Sequence, residues 1–203
     1  NRAFAWSNVA AFIHSSATFS IGFLLSMYLQ VVKGLSPSQA GLILVTQPAV
    51  MTLLSPVAGR LSDRIEPRIM ASAGMAVTAM GLAFLSFTGE RAGALELVSC
   101  LAFIGLGFAL FASPNANAVM GSVDRSDYGV ASSVISTMRI TGQAFSMGIV
   151  LVLFSLFIGR IAITPQTGAA FLTAMHTGFL FFCVLCIPGI FASLARGDGR
   201  RRR

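Results

Sequence analysis

The stretch from Leu97 to Val119, LVSCLAFIGLGFALFASPNANAV, carries no charged residue and is long enough to cross a bilayer as one helix. About 20 mostly apolar residues are needed to span the hydrocarbon core. Because no water satisfies backbone groups there, a spanning segment must be a helix or a strand of a closed barrel. This stretch is too long, and too apolar on all sides, for a barrel strand. It therefore predicts a transmembrane helix.

Five similar stretches account for nearly all of the remaining chain. The six predicted spans cover residues 9–32, 40–58, 69–88, 97–119, 130–158 and 171–195. Only 10% of the 203 residues are charged, whereas soluble domains carry about 25%, and the mean hydropathy is +0.81. The sequence thus predicts an all-α integral membrane protein, with one domain over residues 1–203 and a basic tail at 196–203.

The net charge of +7 comes from basic residues between the spans. Ten arginines fall on the side that holds both termini, at positions 2, 60, 64, 68, 125, 196, 200, 201, 202 and 203. Lys33, Arg91 and Arg160 fall on the opposite side. The positive-inside rule then predicts a multi-pass protein of the cell (inner) membrane with both termini in the cytoplasm, and it explains the charge without a nucleic-acid partner. The tail is expected to touch anionic lipid headgroups of the bilayer.

The start of the chain and its cysteines say less about function. The chain opens at Asn1 without an initiator Met, and Arg2 and Trp6 resemble the run-in to an internal helix, which favours a fragment of a longer protein. Cys183 and Cys186 form a CxxC inside an apolar span, where packing or lipid contact is expected rather than metal binding. No nucleophile with a His partner and no Walker loop is present, so no enzyme, metal site or cofactor is predicted.

The most specific string is GRLSDRIEPR at residues 59–68, between the second and third spans. It resembles the Gly-x-x-x-Asp-Arg-x-Gly-Arg-Arg signature of the major facilitator superfamily. Gly59, Asp63, Arg64 and Arg68 match that signature, whereas residues 66–67 (Glu-Pro) replace Gly and a basic residue. This departure is similar to the weaker second copy of the motif in the C-terminal halves of these transporters.

The resemblance and simple electrostatics together assign this loop a gating role. Gly59 would permit a close backbone approach, and Asp63 would face the positive end of a helix dipole. Arg60, Arg64 and Arg68 would make charge-assisted bonds that hold the cytoplasmic helix ends in one of two states. The alternative is an ordinary positive-inside loop, which explains the arginines alone.

Three further strings are similar to the last third of drug:proton antiporters with fourteen spans. They are SPNAN at residues 113–117, GVASS at 129–133 and TMRITG at 137–142, and the run 12–30 followed by GLSP at 34–37 is also similar. The resemblance covers the whole chain as the C-terminal six-helix half of a multidrug efflux transporter. It implies proton-coupled export of hydrophobic or cationic small molecules by alternating access.

The same resemblance assigns a role to each span. The first and fourth spans would line the central cavity, the second and fifth would meet the N-terminal half, and the third and sixth would face lipid. No carboxylate lies deep in a span, so the acid that carries the proton is expected in the N-terminal half. Two alternatives stay open: a half-size carrier that works as a homodimer, and a non-transporting membrane sensor or assembly protein that kept the fold.

Arg139 is the one charge that the sequence places inside a span. A charge there costs about 3 kcal/mol or more. Its expected partners are backbone carbonyls near Pro114, the side chains of Asn115 or Asn117, or an acid in the other half; the alternative is snorkelling to the interface.

The candidates for the substrate cavity are His14, Phe19, Phe23, Gln47, Asn115, Asn117 and Gln143. His176 is expected to be a packed, hydrogen-bonded histidine.

Overall fold

The structure is a computed structural model, and it describes residues 2–62, 64–159 and 167–196. All regular secondary structure in these residues is helical. The α-helices are α1 (Arg2–Thr18), α2 (Ser20–Met27), α3 (Pro37–Leu44), α4 (Thr46–Ser62), α5 (Pro67–Ser86), α6 (Ala94–Met120), α7 (Tyr128–Phe157) and α8 (Gly168–Leu194). A π-helical turn (Tyr28–Val32) extends α2, and a 3-10 turn (Arg125–Asp127) leads into α7.

These elements combine into six apolar spans of membrane length within the described residues. The spans are Arg2–Val32, Pro37–Ser62, Pro67–Ser86, Ala94–Met120, Arg125–Phe157 and Gly168–Leu194. Each span overlaps one of the predicted apolar stretches. The predicted fold class, an all-α membrane protein with six transmembrane helices, is therefore confirmed.

The second span begins with a capping box formed by Ser36 and Gln39. The backbone N–H of Gln39 donates to Ser36 Oγ at 3.3 Å, and the backbone N–H of Ser36 donates to Gln39 Oε1 at 3.0 Å. Pro37 occupies the first helical position, where its missing N–H costs nothing. The span is then interrupted at Val45, because Pro48 supplies no N–H for the preceding turn.

The first span contains an interruption that no proline predicts. α1 ends at Thr18 and α2 begins at Ser20. The backbone N–H of Ser20 donates to Ser146 Oγ on α7 at 3.2 Å, and the two hydroxyl oxygens lie 3.0 Å apart. Both serines are fully buried. The break in the first span is therefore satisfied by the fifth span rather than by its own helix.

The core lies among the first, third, fourth and sixth spans. Tyr28, Leu82, Leu97 and Phe179, one from each of these spans, are among its largest fully buried side chains. Close helix approach depends on glycines, as expected in lipid: a Cβ built on Gly74 of α5 would lie 2.7 Å from the carbonyl oxygen of Gly107 on α6. The third and fourth spans thus pack backbone against backbone.

The second and fifth spans are left mostly uncovered. Buried residues make up 56%, 50%, 44% and 39% of the most apolar part of the first, third, fourth and sixth spans. The corresponding shares are only 6% for the second span and 17% for the fifth. These two spans therefore present long apolar faces to whatever surrounds the bundle.

Candidate functional site

The loop that carries the signature string lies at one end of the bundle, which we call the motif end and define by residues 59–68. Arg60 and Arg64 are exposed there, and Asp63 lies outside the described residues. Arg68 Nε donates to Glu66 Oε2 at 2.7 Å. Glu66 has a φ of −55°, a value open to any residue. Glu therefore replaces the glycine of the signature without backbone strain.

Gly59 lies in ordinary packing within the described residues. A Cβ built on this residue would lie 3.7 Å from Ser113 Oγ, which is ordinary van der Waals contact. The neighbouring helix presents a small serine side chain at this point. The close backbone approach expected at Gly59 stays a prediction.

Two side-chain hydrogen bonds tie helices together at the motif end. Asn117 Nδ2 donates to Ser62 Oγ at 3.2 Å, which joins α6 to the end of α4. Ser193 Oγ donates to the Arg68 carbonyl oxygen at 3.4 Å, which joins α8 to the start of α5. Asn117, a predicted cavity residue, thus has a partner in a helix–helix contact.

Arg196, the part of the predicted basic tail that the structure describes, is buried. Only 5% of it is exposed, and its guanidinium nitrogens have no partner among the described residues. Burial lowers the pKa of Arg196 to about 10, so the side chain stays charged at neutral pH. Its burial follows from the packing of the α8 end against α5 through Ser193.

Three polar residues that the sequence singles out follow, at helical spacing, the members of one apolar cluster at the motif end. In that cluster Ala11 of α1, Val119 of α6 and Ile135 of α7 pack together. Helices α1 and α7 run away from the motif end, whereas α6 runs towards it. The next residue on the same helical face, farther from the motif end, is therefore three or four positions later in α1 and α7 and four positions earlier in α6. These residues are His14, Asn115 and Arg139. We call them the polar layer.

His14 is packed between aromatic rings of α6. Its ring stacks on Phe111 with a centroid distance of 4.1 Å and an interplanar angle of 9°, and it meets Phe108 edge-on at 4.6 Å. Only 4% of the residue is exposed, and its Nε2 has no hydrogen-bond partner in the described structure. His14 is thus held in the aromatic packing of α6 with one ring nitrogen unpaired.

Asn115 and Arg139 also lack partners. Asn115 is fully buried, yet neither its amide oxygen nor its amide nitrogen makes a hydrogen bond to a described residue. Arg139 is partly exposed and makes no hydrogen bond or ion pair within the described ranges. The expected bonds from Arg139 to Asn115, to Asn117 or to carbonyls near Pro114 are therefore not formed within the described residues. Asn117 bonds to Ser62 instead.

Such an arrangement is costly unless something completes it. An unpaired buried polar group costs about 1–3 kcal/mol, and a charge inside the membrane costs about 3 kcal/mol or more. The Asn115 amide and His14 Nε2 are in this condition. Arg139 is unpaired among the described residues but partly exposed.

The other predicted cavity residues are spread over the bundle. Phe19 and Phe23 are 47% and 39% exposed, and Phe23 contacts Phe154 of α7 with 6.2 Å between ring centroids. Gln143 is half-buried on α7. Gln47 is half-buried, and its carbonyl oxygen would lie 2.6 Å from a Cβ built on Gly105. These four side chains do not join the polar layer.

His176 is confirmed as a hydrogen-bonded packing residue. Its Nε2 lies 2.6 Å from the carbonyl oxygen of Thr88, to which it donates as the N–H tautomer. Cys183 and Cys186 are both free thiols. No group of three metal-ligating side chains occurs among the described residues.

The contacts that sequence reasoning missed all join distant parts of the chain. The Ser20–Ser146 pair is one, and the bond from Tyr28 Oη to the Gly89 carbonyl oxygen at 2.7 Å is another. A serine or a tyrosine within an apolar span does not indicate, from its neighbours in the sequence, which distant residue it will bond to.

Comparison with known proteins now places the fold in a family. The sequence profile described as Major Facilitator Superfamily matches residues 8–202. The chain is 29% identical over 148 residues to the riboflavin transporter RibZ of Clostridioides difficile, covering 73% of this chain and 32% of that protein. It is 32% identical over 133 residues to the multidrug resistance protein Stp of Mycobacterium tuberculosis, covering 66% and 25%.

A third relative is the cephamycin export protein CmcT of Amycolatopsis lactamdurans, with 30% identity over 148 residues, 72% of this chain and 30% of that protein. The match thus spans about a third or less of the length of each of these curated relatives. The profile, in contrast, covers nearly the whole of this chain. With six apolar helices and this match, the chain belongs to the major facilitator superfamily, a family of membrane transporters and not of enzymes.

Proposed function

We propose that this chain is the C-terminal six-helix half of a secondary active transporter that exports hydrophobic or cationic small molecules in exchange for protons. The relatives support the substrate class, since they include a multidrug resistance protein and a cephamycin exporter. The coupling to protons follows from the resemblance to drug:proton antiporters.

The observation that carries the proposal is the uncovered state of the second and fifth spans. α7 exposes small residues at helical spacing, namely Gly129, Ser133, Thr137 and Thr141. Small residues let helix backbones approach closely in lipid, where packing rather than hydrophobicity drives association. The occupant we propose for both faces is the N-terminal six-helix half of the same transporter.

Transport would then follow from rocking of the two halves around a site near the bilayer midplane. The polar layer lies on α1, α6 and α7, so it borders the first and fourth spans that would line the cavity. The loop at residues 59–68 would latch one of the two states through Asp63 and its neighbouring arginines. Proton coupling needs a titratable acid, which we place in the N-terminal half.

A reconstituted assay tests the transport proposal. The complete protein would be placed in proteoliposomes with an acidic lumen, and uptake of ethidium and of chloramphenicol would be followed after a pH step. Ethidium is a permanent cation, so passive trapping by the pH gradient does not occur. We expect protein-dependent uptake of one or both compounds that collapses when nigericin removes the gradient. Uptake equal to that of protein-free liposomes would contradict the proposal.

A cross-linking experiment separates the proposed partner from a homodimer. In a cysteine-free background, Thr137→Cys places one thiol on the exposed face of α7, and Leu180→Cys places one on the exposed face of α8 as the control. If the N-terminal half covers α7, a bismaleimide should not join two copies through position 137. Efficient dimers through position 137, but not through 180, would instead establish the half-size homodimeric carrier.

A further inference from the structure

Arg139 is a charge held well inside an apolar helix. α7 has 30 residues, from Tyr128 to Phe157, so it is about 45 Å long and Arg139 lies about 5 Å along the axis from its middle. The hydrocarbon core is about 30 Å thick, so a helix centred in it places the Arg139 backbone about 10 Å inside the edge of the core. A charge at this depth needs a partner of opposite sign or access to water, because lipid tails do not solvate it.

The described part of the chain offers Arg139 no such partner. Arg139 makes no hydrogen bond or ion pair within the described ranges. All seven acidic residues of the sequence lie at or beyond the ends of the apolar spans. Asp127, the nearest acid along the same helix, is twelve positions earlier, about 18 Å of helical rise. A carboxylate at the depth of Arg139 can therefore come only from outside this six-helix chain.

Arg139 lies at the edge of the contact between α7 and α1. Gly142, three positions later, packs against α1, since a Cβ built there would lie 2.5 Å from the carbonyl oxygen of Phe12. Ser136, three positions earlier, is exposed, and Ile140 is 65% exposed. With 3.6 residues per turn, Gly142 and Ser136 lie on either side of Arg139 around the helix. Arg139 thus borders the uncovered face of α7, for which the N-terminal half is the proposed occupant.

The chemistry of this edge fits a carboxylate on the occupant. A guanidinium binds a carboxylate through two parallel N–H···O bonds, and such a charge-assisted pair is stronger than a neutral one. Gln143 is four positions after Arg139 and half-buried, so it lies on the same helical face. Its amide N–H groups can donate to the same carboxylate. A second copy of this chain does not fit, because its spans hold no acid at this depth.

We propose that Arg139 forms an ion pair within the membrane with an aspartate or glutamate side chain that the N-terminal half presents to α7. This inference rests on the proposed function, because the N-terminal half supplies the acid. It makes Arg139 a contact between the two halves, in place of an arginine that snorkels to headgroups or faces water.

Double-mutant cycles on the complete protein in nanodiscs test the inference without requiring transport. Each Asp or Glu within a span of the N-terminal half is replaced in turn by Asn or Gln, alone and together with Arg139→Gln. The measurement is the midpoint of thermal unfolding. Arg91→Gln, at an exposed loop position, is the matched control for the loss of an arginine.

One acid should be coupled to Arg139. Replacing that acid should lower the midpoint by several degrees, because Arg139 then stays charged and unpaired in the membrane. Arg139→Gln should lower the midpoint less, since the acid left behind can take up a proton. The double variant should be more stable than the variant that lacks only the acid. Where the acid variant fails to fold, Arg139→Gln should restore folded protein, whereas Arg91→Gln should not.

Disulfide formation then tests proximity in a cysteine-free background. Arg139→Cys combined with a cysteine at the coupled acid should cross-link within one chain on oxidation. Leu180→Cys, on the exposed face of α8, replaces Arg139→Cys in the control and should not cross-link.

Additive effects for every acid, with no rescue by Arg139→Gln, would overturn the inference and indicate a snorkelling or hydrated arginine. An N-terminal half without an acid in its spans would overturn it as well. Failure of the proposed function gives a different result: dimers of this chain through position 137 would remove both proposals. An N-terminal half that covers position 137 without coupling to Arg139 would remove only the ion pair.

Discussion

Ser146 of α7 accepts the backbone N–H of Ser20 at 3.2 Å, at the point where the first span is interrupted between α1 and α2. The two hydroxyl oxygens also lie within hydrogen-bond distance, and both residues are fully buried. One turn away along α7, a Cβ built on Gly142 would lie 2.5 Å from the carbonyl oxygen of Phe12. The first and fifth spans are thus joined tightly next to a helix break.

Replacing Ser146 by Ala should destabilise the protein. The backbone N–H of Ser20 would lose its acceptor in a buried place, which costs about 1–3 kcal/mol. Ser133→Ala is the matched control, because the Ser133 hydroxyl is exposed and donates to the Gly129 carbonyl of its own helix. Thermal unfolding in detergent measures both variants. Equal midpoints for the two would show that the Ser20–Ser146 contact contributes nothing measurable.

Replacing Gly74 by Ala should disrupt the packing of α5 on α6. The added methyl group would lie 2.7 Å from backbone atoms of Gly107 and Phe111, which cannot move aside as a flexible side chain would. Overpacking of this kind costs about 1–3 kcal/mol or more. The folded yield and the unfolding midpoint should both fall.

Gly148→Ala provides the control for that experiment, since a Cβ at position 148 meets no atom within 4 Å. Alanine is also a better helix former than glycine by about 1 kcal/mol. We therefore expect this variant to be as stable as the native protein or slightly more so. A Gly74→Ala protein with the stability of Gly148→Ala would contradict the close approach of α5 and α6.

Replacing Asp63 by Asn should abolish efflux while the amount of protein in the membrane stays unchanged. The expectation follows from the signature string, in which Asp63 supplies the charge that meets a helix end. Glu66→Gln is the neighbouring acidic control, because Glu66 pairs locally with Arg68 in a partly exposed ion pair. Such pairs contribute about 0–1 kcal/mol. The measurement is ethidium efflux, with the amount of protein in the membrane quantified by immunoblot. Undiminished efflux in Asp63→Asn would contradict the proposed gating role of Asp63.

His176→Leu should reduce stability and leave the transport rate per folded molecule unchanged. The substitution removes the bond from His176 Nε2 to the Thr88 carbonyl, a contribution of about 0.5–1.5 kcal/mol. Thr177→Val, one position along, removes only a bond to the carbonyl of its own helix and serves as the control. A lost transport rate in fully folded His176→Leu would show that the residue does more than join α8 to the end of α5.

Some local features of the fold could be read directly from the residues. The six spans and the capping box at Ser36 follow from composition over short stretches, and so does the interruption near Pro48. Each depends on neighbours within one or two turns. The break after Thr18 could not be predicted in this way, because its donor is satisfied by a residue 126 positions later.

The candidate site was only partly accessible from the sequence. Arg139 and His14 stand out as polar residues in apolar helices, whereas only the structure shows that His14 stacks on Phe111 and that Asn115 is buried without a described partner. The sequence offered Asn115 and Asn117 as equivalent partners, although they lie two positions apart and therefore face different ways on α6. Asn117 reaches Ser62, whereas Asn115 points into the buried layer without a partner.

The sequence by itself determined that the chain crosses the membrane as six helices, because hydropathy is summed along each segment and needs no neighbour. Which polar side chains share a layer was decided by the tertiary structure alone. The reason is geometric: the rotation and the relative height of two packed helices select the residues that meet. A shift of one residue along α1 would turn His14 away from Phe111 while leaving every span equally apolar.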